Sequence, residues 1–214
     1  MATSSTPAAP STPTSRERLL DAAILLIRTK GYTAMRVEDV CAETGLTKGS
    51  FFHHFASKED LAIAAAERFA SRADTMFSRA AYRSHADPLE RLLGYIDFRQ
   101  GAMQGDLAAF TCLFGMLAQE TYSTHPQLSE SAGRHIEQHA ATLEGDIEAA
   151  RAAHIPDADW SAHSLAMFTQ AVIQGAFVLA KPQHDPAVAA DCLDHLRRYL
   201  QMTFAQPPPG RAKR

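Results

Sequence analysis

The sequence predicts an all-α fold, with an N-terminal three-helix unit that contains a helix-turn-helix, followed by a C-terminal helical bundle, about nine helices in all. Three observations predict it. Of 214 residues, 46% are hydrophobic, enough to bury a sizeable core. The aliphatic residues are mostly Ala and Leu, which favour helices over strands. Apolar residues recur at three- and four-residue spacing, and no segment alternates polar and apolar as a half-buried strand does.

Each element follows from its own signals. Residues 1–13 are rich in Ala, Ser, Thr and Pro and are expected to be disordered, because they cannot bury enough apolar surface to offset chain entropy. They lack the apolar stretch of a signal peptide. Thr14 to Glu17 can form a capping box, and Leu19, Leu20, Ala23, Ile24 and Ile27 then repeat with helical period up to Gly31. A short helix is expected over 37–43, entered at Arg36 without an obvious cap, and Gly45 ends it. Thr47 can cap the next helix, to about His53. Ser57 to Asp60 is a second capping box and opens a long helix through about Arg83. Further helices are expected over about 88–103, 106–122, 126–153, 159–181 and 186–205, several of them opened by proline in the first turn. Pro207 to Gly210 and the basic residues after them form a second disordered tail, 207–214. No internal repeat is present.

The formal net charge of −3 does not advertise a nucleic-acid partner, but its distribution does. Residues 14–58 hold seven basic and five acidic side chains, net +2, against 14 and 19 elsewhere, net −5. The N-terminal end is therefore the side suited to phosphate. Cys41, Cys112 and Cys192 are widely spaced and odd in number, which argues against a disulfide scaffold and a zinc ribbon. No apolar run approaches the ~18 residues of a membrane span. A cytoplasmic protein with no membrane association, no cofactor and no bound metal is expected.

Residues 36–55 carry the chemistry. Val37, Val40 and Cys41 form the inner face of a first short helix, and Gly45 permits the tight turn. Leu46 and Phe51 are apolar plugs that set the angle between the helices. Thr47, Lys48 and Ser50 project outward from the N-terminal end of the second helix, the end that enters the major groove in this motif. Gly49 has no side chain, which lets the helix approach DNA closely. Lys48 can serve either guanine O6/N7 or a phosphate. Arg36 sits at the entry, where it can reach a phosphate.

The run Gly45-Leu-Thr-Lys-Gly-Ser-Phe-Phe-His-His-Phe-Ala-Ser-Lys-Glu-Asp-Leu61 resembles the recognition segment of the TetR/AcrR family of bacterial one-component transcription regulators. Gly31-Tyr32 and Val37-Glu-Asp-Val40 upstream match as well, so the resemblance covers about residues 15–65. It implies a homodimer on a palindromic double-stranded operator, usually as a repressor, and a C-terminal domain with a small-molecule pocket. The implied organisation is a helix-turn-helix domain over 14–60 and a ligand-binding and dimerisation domain over 61–206. The family often has Tyr where Phe52 stands, and Phe52 cannot donate the corresponding hydrogen bond to phosphate. By the same matching, His53, His54 and Lys58 are expected near backbone phosphates.

The C-terminal half gives softer signals. Phe110 to Glu120 is apolar on nearly every face, and small residues alternate there with Phe114 and Met116. This pattern suits a cavity wall as well as ordinary core. With Phe98 and Phe168, the residues Cys112, Met116 and Gln119 are the candidate ligand contacts. Some regulators of the resembling family sense electrophiles through a thiol in this region, which raises the same question for Cys112; no basic residue adjoins it in sequence to activate it. His135 and His139 are spaced i, i+4 but read as histidines of a solvated face, and Glu137 lies on the wrong side to act as a general base. The last two helices are apolar enough to form a four-helix interface with a second copy. The candidate contacts are Phe168, Gly175, Val178, Cys192, Leu196 and Tyr199. Catalysis is not expected, since the chain has no Gly-rich phosphate loop, no G-x-S-x-G elbow and no metal triad at suitable spacing.

Overall fold

A computed structural model describes residues 12–205, so the expected tails at 1–11 and 206–214 lie outside the described residues. Among the described residues there are ten α-helices and no strand. The N-terminal unit comprises α1 (Ser15–Lys30), α2 (Val37–Thr44), α3 (Lys48–His54) and the start of α4 (Lys58–Ser78). A 3-10 turn (Ala81–Ser84) leads into α5 (Pro88–Gly101), α6 (Leu107–Phe110), α7 (Leu113–Thr121), α8 (Pro126–His154), α9 (Ala162–Gln183) and α10 (Pro186–Ala205). The tenth helix arises because the stretch expected as one helix over 106–122 breaks at Thr111 and Cys112, which take extended backbone angles. α4 also stops at Ser78, five residues short of the expected end.

The caps work as their chemistry suggests. Thr14 Oγ1 accepts the Glu17 N–H at 3.2 Å while the Glu17 carboxylate accepts the Thr14 N–H at 2.9 Å. Ser57 accepts the Asp60 N–H at 3.0 Å, and Asp60 takes the Ala56 N–H at 3.0 Å. The uncapped look of Arg36 is resolved by Asp39, whose carboxylate accepts the Arg36 N–H at 2.7 Å and pairs with Lys30 at 2.6 Å. Gly45 ends α2 in the left-handed region, φ +66°, where a side chain would be strained.

Two apolar cores hold the chain together. The first joins α1 to α4 through Leu19, Ala23, Ile27, Val40, Phe51, Phe55, Leu61 and Ala65. It also takes in Leu113, Phe114 and Leu117 of α7 and Leu128 of α8, so the three-helix unit is seated on the C-terminal half. The second core lies among α5, α8, α9 and α10, with Leu92, Ile96, Leu143, Ile147, Ile173, Leu193 and Leu200 fully or nearly buried. Among the described residues, α9 alone is apolar and long enough to cross a membrane, but it packs between α8 and α10 and buries Thr169 and Gln170. A core helix of a bundle meets the same criterion.

Candidate nucleic-acid interface and effector cavity

Helix α3, the expected recognition helix, is fixed from below and open above. Phe51 is fully buried and meets Phe52 edge-on at 5.1 Å and Phe55 at 6.0 Å between ring centres. Thr47 caps the helix by accepting the Ser50 N–H at 3.2 Å. Thr47, Lys48, Gly49, Phe52 and His53 are exposed and Ser50 is half-buried, so the expected DNA contacts of α3 are open to solvent. Arg36 is exposed beside it at the entry to α2.

Three of the expected contacts carry internal partners. The Lys48 ammonium pairs with Glu38 at 2.5 Å, and that hydrogen bond holds its pKa above the usual lysine value and the Glu38 carboxyl below its own. Both side chains are exposed, so the pair is weak and leaves Lys48 free to exchange Glu38 for DNA. His54 is half-buried against Phe55 and His53. Lys58 departs furthest from expectation. Its ammonium donates to the carbonyls of Tyr32 and Met35, each at 3.1 Å, and lies 4.3 Å above the Tyr32 ring. Burial lowers its pKa. Lys58 thus clamps the loop between α1 and α2 onto the start of α4, whatever its remaining donor meets.

A cavity of about 330 Å³ lies where the two halves of the chain meet. Its wall comprises Ile24 and Arg28 from α1, Phe69, Arg72, Ala73, Met76 and Phe77 from α4, Arg99 and Ala102 next to it, Ala109, Phe110 and Cys112 at the α6–α7 break, and Phe177 from α9. Of the expected ligand contacts, Cys112 lines it. Phe98 packs on Phe77 and Tyr82, Gln119 donates to the Gly115 carbonyl at 2.9 Å, and Met116 and Phe168 lie off the wall. Three arginines on the wall were not legible in sequence, where each stands on a different helix. Burial pulls the Arg28 pKa below the usual guanidinium value, and the charge interaction with Cys112 opposes that shift. Arg28 and Cys112 thus share one wall of the cavity.

Beside the cavity, His139 is no surface histidine. Its Nε2 is 2.9 Å from the Tyr95 hydroxyl, which also accepts from Gln170 at 3.2 Å, and its ring lies 4.6 Å from that of Phe77. Burial first, then the charges of Arg99 and Arg83, push its pKa down to about 4, so it is neutral near neutral pH. His135 stacks on Phe114 at 4.7 Å between ring centres.

On the outer face of α9 and α10, Phe168, Val178, Leu179, Tyr199 and Met202 are all exposed, and Phe168 and Tyr199 meet at 4.9 Å. Gly175 is exposed among them, and Cys192 is half-buried. Leu196 turns the other way: it is 2% exposed and belongs to the chain's own core, because the stripe that contains it faces α5 and α9. Leu179 and Met202 belong to the exposed patch and were hidden in sequence by the second, inward stripe of each helix.

Comparison with known proteins agrees with this geometry. The model of bacterial regulatory proteins of the tetR family matches residues 19–65, and that of the tetracyclin repressor-like C-terminal domain matches residues 88–196. The HTH-type transcriptional repressor KstR2 of Mycobacterium tuberculosis is 39% identical over 83 residues, 37% of this chain and 39% of that protein. The chain spans about half or less of the first relatives it matches. An uncharacterized HTH-type regulator of the same organism, Rv0196, is 28% identical over 92% of this chain and 98% of its own. A TetR regulator from Chloroflexus aurantiacus superposes with a TM-score of 0.76 at 26% identity, covering 87% of this chain and 93% of the other. With both halves matched and the recognition helix exposed as such a helix must be, the chain belongs to the tetR family of bacterial regulatory proteins, transcription regulators that bind DNA through a helix-turn-helix.

Proposed function

We infer that this protein is a cytoplasmic repressor that binds a palindromic operator as a homodimer and is released by a small molecule in the cavity against α1. The observation that carries the reading is the cavity's position. Its wall includes α1 of the DNA-reading unit and four elements of the C-terminal half, so an occupant touches both. A ligand that favours one relation between them changes the distance between two α3 helices, and affinity falls through coupling between the sites. The exposed apolar face of α9 and α10 supports pairing of two copies, which would set the reading helices about one DNA turn (~34 Å) or a multiple apart. No cofactor enters this scheme.

The test uses an operator selected by the wild-type protein from random duplex DNA. Lys48→Ala is expected to weaken binding in a gel shift by about tenfold or more, with an unchanged circular dichroism spectrum, because Lys48 makes no contact needed by the fold. Undiminished affinity would remove α3 from the reading surface.

A further inference from the structure

Resting on the reading that an occupant of the cavity releases DNA, we propose that the effector is an amphipathic organic anion, an acid group on an apolar body, whose head lies between Arg28 and Arg99. Phe69, Phe77, Phe110 and Phe177 make the wall largely apolar, and about 330 Å³ suits a molecule of roughly ten to fifteen heavy atoms. That part of the site asks only for an apolar body. The arginines specify the head.

Three guanidinium groups line the cavity and no Asp or Glu does. Arg72 pairs with Asp21 at 2.7 Å, a carboxylate that it shares with Arg68. Among the described residues, Arg28 and Arg99 have no carboxylate within salt-bridge distance. The Nε of Arg28 is enclosed and has no hydrogen-bond acceptor. A buried donor without a partner is costly. Both guanidiniums also lie against aromatic rings, Arg28 at 5.3 Å from Phe69 and Arg99 at 5.5 and 5.6 Å from Phe77 and Phe177. The rings hold the guanidiniums in place and leave their N–H groups for a planar, two-oxygen acceptor such as a carboxylate. A cationic ligand would be repelled, and a neutral one would leave the two charges uncompensated.

Calorimetric titration of the full chain with octanoate and 2-naphthoate, against octanamide and 2-naphthamide, tests this. At least one acid is expected to bind at one per chain and about tenfold or more tighter than its amide. Arg28→Gln and Arg99→Gln should each remove about tenfold of the acid's affinity and move the amide's by less than about twofold, with folding checked by circular dichroism. Equal binding of acid and amide, acid binding unchanged in both variants, or no binding of either acid at millimolar concentration would each overturn the proposal. A gel shift keeps the two readings apart. An acid that binds through the arginines yet leaves the operator complex intact would sink release and leave the anion site standing.

Discussion

Gly49→Ala separates what the fold needs from what DNA needs. Gly49 stands in the first turn of α3, exposed, with a backbone angle that any residue adopts. The nearest atom to an added Cβ is Thr47 Oγ1 at 3.6 Å, an ordinary contact. Nothing inside the protein therefore resists the methyl, and alanine is the better helix former by up to about 1 kcal/mol, less in a first turn. The variant should be as stable as the wild type or slightly more so, with Tm higher by roughly 1–3 °C. On DNA the sign reverses. If the helix backbone approaches the major groove at this position, a methyl there is overpacked at a cost of about 1–3 kcal/mol, or roughly 5- to 150-fold in affinity. Scanning calorimetry and a gel shift on the selected operator read the two effects separately. Unchanged affinity would refute the close approach, and a Tm lower by several degrees would refute the packing argument.

Other consequences are tested in the same way. The pKa of His139 is depressed from 6.5 to about 4, so stability is full above pH 6.5 and is lost as pH falls towards 4, by up to about 3 kcal/mol as the unfolded chain takes the proton first. His139→Gln should flatten that part of a chemical-denaturation series between pH 7 and 4, and a slope equal to wild type would exclude His139 as its source. Phe168→Asp places a charge in the exposed α9–α10 patch beside Tyr199 and should shift the sedimenting species from dimer to monomer; an unaltered dimer would move the interface elsewhere. N-ethylmaleimide should release DNA from wild type and not from Cys112→Ser if the thiol on the cavity wall senses electrophiles, and equal release from both would end that reading.

What the sequence disclosed depended on how local the cause was. α1 and α10 run over the expected residues because their limits are set by a capping box, a glycine or a proline within the same few residues. α3 was legible for the same reason, since Gly45, Leu46, Thr47 and Phe51 act on one another at short range. The break at Thr111–Cys112 was not legible, because composition there favours a continuous helix and the interruption depends on seating α7 against α1 and α8. The arginine pair was hidden for a related reason. Arg28 and Arg99 lie 71 positions apart, and only the packing of α1 and α5 around α4 puts both on one wall. Lys58 shows the converse failure: its place in the motif suggested phosphate, but the carbonyls it clamps are distant in sequence and invisible there.

Those same long-range contacts explain how occupancy of the cavity could reach α3. The loop between α1 and α2 is gripped from two sides. Lys58 at the start of α4 holds the carbonyls of Tyr32 and Met35, and Glu120 on α7 accepts the Thr33 N–H at 2.9 Å. Gly31, with φ +89°, lets the Glu120 carboxylate lie 2.5 Å from where a Cβ would stand, so the loop is fitted closely to α7. α4 and the α6–α7 break also supply most of the cavity wall. A ligand that spreads α1 from these elements therefore strains the grip on the loop that feeds α2 and, through it, α3. The coupling required is modest, since 1–3 kcal/mol changes operator affinity by about 5- to 150-fold. One hydrogen bond to a charged carboxylate is of that order. In the proposed release, loss of the solvent-exposed Glu120–Thr33 hydrogen bond would contribute to that coupling.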